Sequence, residues 1–326
     1  MTSPARLQEL IGKQLQELNF QSEPTTLYEP IRYMLALGGK RMRPVLLLMG
    51  TELFGGNIDD GLSAAAGIEV FHNFTLLHDD IMDNAPLRRT KQTVHNKWNT
   101  NIAILSGDAM FVKSCELMMQ VPNTALRDVL DIFHKTALEV CEGQQFDMDF
   151  EKESIVTIDS YLNMIRLKTA VLLGCSLKIG ALIANASKED AQHLYDFGVN
   201  LGLAFQLQDD VLDVYANTEK FGKQVGGDIL SNKKTYLLLT ALNQSTGVIK
   251  EELLQWIYQP VSEDQSAAKV EAVTRIYNSL GVREQAQQRM ELFYKDAFLH
   301  LSKILIDSSK KEPLRLLAES LLVREV

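Results

Sequence analysis

Cysteine is scarce in this chain, with only Cys115, Cys141 and Cys175 among 326 residues. Their wide spacing forms no Cys-x-x-Cys or Cys/His pattern, which argues against a disulfide framework and a zinc site. A reducing cytoplasm is the expected compartment. Proline is absent from Asn123 through Gln259, so nothing of that kind interrupts long helices there. Basic charge is also short: 33 Lys and Arg stand against 42 Asp and Glu, a net charge of -9. No basic cluster is long enough to track a phosphate backbone, so nucleic acid is not an expected partner. Uncharged apolar runs of membrane length are missing. The most apolar long window, Leu167 to Ala186, carries Lys168 and Lys178 and reads as a buried helix, not a membrane span. The stretch from Leu7 to Leu18 is amphipathic and lacks the apolar centre of a signal peptide. Strand-like alternation bounded by hairpin turns is nearly missing as well.

What is present is helical. Leu126, Val129, Leu130, Phe133, Ala137, Val140 and Cys141 recur at the spacing of one helix face. Gly55-Gly56-Asn57, Pro122-Asn123 and Gly226-Gly227-Asp228 read as turns between helices. With 46% hydrophobic residues and no repeat, low-complexity tract or linker, a single all-α domain over residues 1-326 is expected, a helical bundle with a sizeable core.

Two distant segments echo each other: Leu76-Leu77-His78-Asp79-Asp80-Ile81-Met82-Asp83 and Gln206-Leu207-Gln208-Asp209-Asp210-Val211-Leu212-Asp213. Residues four apart on a helix share a face, so Asp79 pairs with Asp83 and Asp209 with Asp213, with Asp80 and Asp210 alongside. Three like charges in little more than a turn repel one another unless a cation joins them. Carboxylate-only ligation suits magnesium, which commonly takes one or two carboxylates, waters and substrate phosphates. One such motif could equally be a solvated helix end; two copies after apolar helical runs favour the metal.

Cations suited to phosphates lie nearby in sequence. Gly38-Gly39-Lys40-Arg41-Met42-Arg43-Pro44 places three cations in four residues after a glycine pair, which permits close backbone approach to a ligand. The bland alternative is a charged helix start. Arg88-Arg89 follows Pro86-Leu87, where a turn would fold both guanidinium groups back toward the first acidic cluster, and arginine suits bidentate phosphate contact. Lys168-Thr169, Lys223 and Lys233-Lys234-Thr235 lie near helix boundaries. His72 precedes Asp79 by about two helical turns and is placed to donate to a phosphate, although a satisfied core histidine is the commoner role.

Taken in order, these motifs, with Ser-Gly-Asp at 106 to 108, Phe-Gln-Leu-Gln-Asp-Asp at 205 to 210 and Phe-Gly-Lys at 221 to 223, resemble the trans-isoprenyl diphosphate synthases, the polyprenyl synthetase family, over nearly the whole chain. The resemblance implies the isoprenoid synthase fold, helices around a central cavity with both acidic clusters at its mouth. It implies Asp79, Asp83 and Asp209 as ligands of two or three Mg2+ ions. Lys40, Arg43, His72 and Arg89 would hold isopentenyl diphosphate; Arg88, Lys168, Thr169, Gln206, Lys223 and Lys233 would serve the allylic diphosphate. Asp79, Asp80, Asp83, Asp209 and Asp210, with Arg88, Lys168 and Lys233, would form the catalytic set. A homodimer is a further expectation.

Phe74, five residues before Asp79, resembles the chain-length floor of geranylgeranyl-type members, and small Thr75 disfavours the tighter farnesyl floor. Thr90 departs from the glycine that commonly follows the arginine pair. Two rivals differ in what they need. A class I terpene synthase requires no isopentenyl diphosphate site, and a non-catalytic partner subunit has no use for two intact acidic clusters.

Overall fold

The computed structural model describes the chain except for residues 1, 19, 21, 217-225, 260, 261 and 323-326. The helices run in chain order as α1 (Pro4–Glu17), α2 (Thr25–Ala36), α3 (Met42–Leu53), α4 (Ile58–Met82), α5 (Val94–Lys97), α6 (Thr100–Met118) and α7 (Asn123–Lys152). A two-stranded ribbon, β1 (Leu87–Arg88) and β2 (Lys91–Gln92), sits between α4 and α5. Then follow α8 (Ile158–Ile165), a π-helical turn (Arg166–Ala170), α9 (Val171–Ile183), α10 (Lys188–Tyr215), α11 (Gly227–Leu230), α12 (Tyr236–Gln244), α13 (Gly247–Tyr258), α14 (Ser266–Ser279), α15 (Val282–Lys303) and α16 (Ser308–Leu322). The all-α expectation holds. No described helix is long and apolar enough to cross a membrane.

The chain divides into two compact units, each assembled from three stretches: Met1–Thr136, Leu172–Tyr195 and Lys303–Leu314 form the first, and Ala137–Val171, Asp196–Ser302 and Arg315–Val326 the second. In the first unit α4 is the central helix. Asn57 caps its N-terminus by accepting from the Asp59 backbone N–H at 3.1 Å, and Asp59 and Asp60 in its first turn face the positive end of the helix dipole. Ala64, Ala65, Ala66, Ile68 and Val70 are fully buried, and small residues let α3 and α6 approach closely. Phe71, Phe74, Phe111 and Phe133 add an aromatic cluster with centroids 5.3-6.1 Å apart.

The second unit has its own apolar core, in which Phe150, Tyr161, Leu207, Val211, Leu237, Leu253, Ile276 and Tyr277 take part. Thr157 starts α8 by accepting from Ser160 N–H at 3.0 Å. α8 then loses its regular pitch in the π turn at Arg166–Ala170, a feature that concentrates at functional sites because it re-aims side chains and frees carbonyls.

Candidate active site

The first acidic motif ends α4. Asn73, Leu77 and Asp80 lie at the spacing of one helical stripe and all three are buried. Asp80 therefore points inward at 2% exposure, whereas Asp79 is partly exposed and Asp83, the C-cap of the helix, is exposed. Arg88 meets the inward carboxylate: its Nε donates to Asp80 Oδ1 at 2.8 Å and Oδ2 at 2.9 Å, and its Nη2 reaches Oδ1 at 2.8 Å. Nη2 also lies 3.7 Å from Asp79. Burial raises the Asp80 carboxyl and Arg88 opposes that shift.

Arg88 is brought back by the ribbon. Leu87 pairs with Gln92 and Arg88 with Lys91, leaving Arg89 and Thr90 as a two-residue turn with φ of 51° and 66°. Positive φ at both positions is the signature of the tight hairpin turns that match strand twist. The ribbon is a difference from the nearly strand-free expectation, since strands of two residues leave no alternation to read. Arg88 does fold back to the aspartates. Arg89 does not; its guanidinium lies against Gly39, where a Cβ would be 2.7 Å from Nη2.

That contact belongs to a second group in the same unit. Gly38 and Gly39 both have positive φ, 75° and 142°, and Arg41 opens α3 at φ 47°. The exposed Lys40 is held through its backbone carbonyl, which accepts from Gln8 Nε2 at 2.7 Å. Arg43 Nη1 lies 3.0 Å from His72 Nε2. Arginine can only donate, so Nε2 accepts and the His72 proton resides on Nδ1. Burial, and then Arg43, pull the His72 pKa well below its ordinary value, so the ring is neutral. This narrows the expected role: Nε2 is committed to Arg43, and any donation to a phosphate falls to Nδ1. Burial also lowers Arg43 to about 10. The counter-charge is Glu69, 5% exposed, whose Oε1 accepts from Asn73 Nδ2 at 3.1 Å.

The second acidic motif lies on α10 and repeats the pattern. Leu207, Asp210, Val211 and Val214 form the buried stripe, so Asp210, 4% exposed, again points inward while Asp209 and Asp213 are partly exposed. Tyr161 Oη donates a short hydrogen bond to Asp210 Oδ2, and burial pushes the Asp210 carboxyl up to about 7. Asp213 is engaged by backbone: its Oδ2 accepts from Asp228 N–H at 2.9 Å and its carbonyl from Gly226 N–H at 2.6 Å.

Lys168 and Thr169 both sit in the π turn. Gly143 of α7 permits this, because a Cβ there would collide with the Lys168 backbone. Lys168 Nζ contacts Asp147 Oδ2 at 2.6 Å. Burial alone would raise the Asp147 carboxyl, but Lys233 and Lys168 outweigh it and hold it below the ordinary range. Thr169 Oγ1 is 3.2 Å from Gln206 Oε1, and Gln206 Nε2 is 3.4 Å from Asp210 Oδ1. Lys233 is exposed. Its neighbour Lys234 instead donates to the carbonyls of Phe150 and Glu153, anchoring the end of α7. Lys223 lies outside the described residues.

Phe74 stands one turn below His78, ring to ring at 4.8 Å, with Phe111 at 5.5 Å. Thr75 bonds back to the His72 carbonyl at 2.8 Å. Phe71 is fully buried behind Phe74, and Lys113 pairs with Glu116 at 2.7 Å.

Glu69, Asp147 and Tyr161 are ionisable residues of these groups that the sequence motifs do not include. Glu69 carries a legible signal, a lone acid inside an apolar helix. Asp147 and Tyr161 carry none by themselves, since Asp147 is one of several charges in the Asp147–Glu153 stretch and an aromatic at a core position is ordinary.

Residues 24–277 match the polyprenyl synthetase family. The chain is 42% identical over 232 residues to the geranylgeranyl diphosphate synthase of Methanosarcina mazei, covering 71% of this chain and 72% of that one. It is 37% identical over 302 residues to the geranylfarnesyl diphosphate synthase of Natronomonas pharaonis, covering 87% and 86%. A crystal structure of a geranylgeranyl pyrophosphate synthase superposes with a TM-score of 0.95 at 42% identity, covering 100% of both chains. With the two acidic motifs, the basic groups and the all-α fold in place, these likenesses make the chain a member of the polyprenyl synthetase family and a prenyltransferase of its short-chain trans type.

Proposed function

We propose that this enzyme joins isopentenyl diphosphate to an allylic diphosphate and stops at the C20 product, geranylgeranyl diphosphate, with the whole chain working as one synthase domain. The observation that carries this reading is the repeated design of the two acidic motifs. In each, the middle aspartate is buried and fixed, by Arg88 or by Tyr161, while Asp79 and Asp209 are partly exposed and Asp83 is exposed.

The donor set fits magnesium: it is all carboxylate oxygen, with no thiolate or imidazole among the three proposed ligands. Asp79, Asp83 and Asp209 would hold the ions, two or three in number. Bound there, magnesium would supply Lewis-acid neutralisation of the departing diphosphate oxygens. The residues of the chain do the remainder. Arg88, Lys168 and Lys233 offer fixed positive charge to the leaving group as the allylic C–O bond ionises. Thr169 in the π turn and Gln206 on α10, which bond to each other, offer oxygens that can stabilise the allylic cation by their dipoles. Lys40, Arg43, His72 and Arg89 orient isopentenyl diphosphate so that its double bond attacks that cation, and the released diphosphate accepts the final proton. Lys223 is assigned to the allylic substrate on sequence alone.

Phe74, backed by Phe71 and Phe111, is proposed as the chain-length floor, with small Thr75 beside it leaving room for C20. The likeness to the Methanosarcina mazei synthase supports C20. Leu105 and Val112 on α6 and Met119 at its C-terminal cap are exposed, an apolar surface suited to a second copy of the chain, and the working form is proposed to be a cytoplasmic homodimer. The test is metal dependence combined with ligand removal. Chelation should abolish turnover and magnesium restore it, and Asp83→Ala and Asp209→Ala should each lower kcat by on the order of 10²-fold or more. Full activity of both variants would refute the assignment.

A further inference from the structure

Glu69 lies in the most apolar part of α4, between Ile68 and Val70, which are both fully buried, and is itself only 5% exposed. A carboxylate in such a place is costly unless a partner holds it ionised. Asn73, one turn on, donates to Glu69 Oε1 at 3.1 Å and to the Glu69 backbone carbonyl at 2.8 Å, which fixes the side chain. Arg43 meets His72 at 3.0 Å, three residues after Glu69 on α4, and Arg89 lies against Gly39, two residues before Arg41. Burial raises the Glu69 carboxyl, and Arg43, then Arg41 and Arg89, act against that rise. These arginines come from two separate places in the chain, the glycine-rich turn before α3 and the ribbon turn. Each is seated against a small surface or a neutral partner: Arg41 against Gly12, Arg89 against Gly39, Arg43 against neutral His72. Nε of Arg43 is buried and has no hydrogen-bond partner among the described residues.

Three guanidinium groups gathered in one region repel one another most strongly where water is excluded. We infer that Glu69 is a positioning residue for the isopentenyl diphosphate site: the buried counter-charge that keeps Arg43, Arg41 and Arg89 drawn together before the diphosphate arrives. This rests on the reading of Lys40, Arg43, His72 and Arg89 as that site. Glu69 touches no substrate in it. Its effect is preorganisation, since arginines already set in place need no rearrangement at the moment of binding.

Net field and positioning predict opposite results for Glu69→Gln. The substitution keeps the shape, removes one negative charge and makes the region more positive. If only the field mattered, diphosphate would bind more tightly. If Glu69 positions the arginines, they separate and binding weakens. Steady-state kinetics with magnesium, varying each substrate in turn, distinguish the two. Glu69→Gln should raise KM for isopentenyl diphosphate about tenfold and leave KM for the allylic diphosphate within about twofold. Glu69→Asp should recover part of the loss, and Asn73→Ala, which frees the carboxylate, should give a smaller rise in the same constant. An unchanged or lower KM for isopentenyl diphosphate in Glu69→Gln overturns the proposal, as does an equal rise in both KM values. If Glu69→Gln does not fold, Asn73→Ala decides on the same two criteria. Arg43→Ala separates the premise: with no selective effect there, the site reading itself fails, whereas a selective effect in Arg43→Ala but none at Glu69 overturns only the positioning role.

Discussion

Removing Arg88 tests whether the inward aspartate of the first motif is held as the geometry indicates. Arg88 makes three contacts to Asp80 at 2.8-2.9 Å, and Asp80 is 2% exposed. Removing one partner of a fully buried pair costs about 3-5 kcal/mol. Arg88 is 23% exposed, so solvent screens part of that loss and about 2-3 kcal/mol is expected for Arg88→Ala. Arg88→Lys keeps the charge but loses the planar two-nitrogen contact, for a cost of about 1 kcal/mol. Asp80→Asn removes the charge from the other side. Because the two groups interact, Arg88→Ala combined with Asp80→Asn should be less destabilising than the sum of the single changes by about 1-2 kcal/mol. Urea unfolding followed by circular dichroism at neutral pH measures each corner of this cycle. Additivity within about 0.5 kcal/mol would refute the argument that Arg88 and Asp80 form one energetic unit.

Phe74→Ala should shift the product toward chains longer than wild type, read by chromatography of the dephosphorylated prenols; an unchanged product spectrum would remove Phe74 as the floor. Thr90 holds φ 66° with a β-branched side chain, so Thr90→Gly should stabilise by about 0.5-1 kcal/mol, the relief of the left-handed strain less the entropy of glycine. A thermal melt should rise by about 1-2 °C, and a fall would contradict the turn geometry. His72 is neutral in the fold with its pKa well below 6.5, whereas the unfolded chain binds a proton there below pH 6.5. Stability from this group is therefore full above that pH and lost as pH falls below it. Between pH 7 and pH 5.5 the wild type should lose about 1 kcal/mol more than His72→Gln, and equal losses would show that His72 titrates normally.

Much of the site is legible in the sequence because its chemistry demands charge at fixed spacing. Asp79 with Asp83 and Asp209 with Asp213 are visible as helical repeats, and Lys40 and Arg43 as cations after two glycines. The inward turn of Asp80 and Asp210 is legible in principle, since Leu77 and Leu207 continue the same buried stripes. What escapes the sequence depends on partners far away in the chain. Tyr161 finds Asp210 across 49 residues, and Asp147 finds Lys168 only because Gly143 lets the π turn approach α7. The π turn has no signature, as its sequence is that of an ordinary helix. The ribbon is hidden because Thr90 supplies a positive φ where glycine or asparagine would have announced it.

The central claim is tested most directly by product analysis of the purified protein with magnesium, labelled isopentenyl diphosphate and, in turn, dimethylallyl, geranyl and farnesyl diphosphate. The account predicts a discrete, magnesium-dependent C20 diphosphate from each allylic starter. Hydrocarbon released without isopentenyl incorporation, or no turnover with any starter, would contradict it.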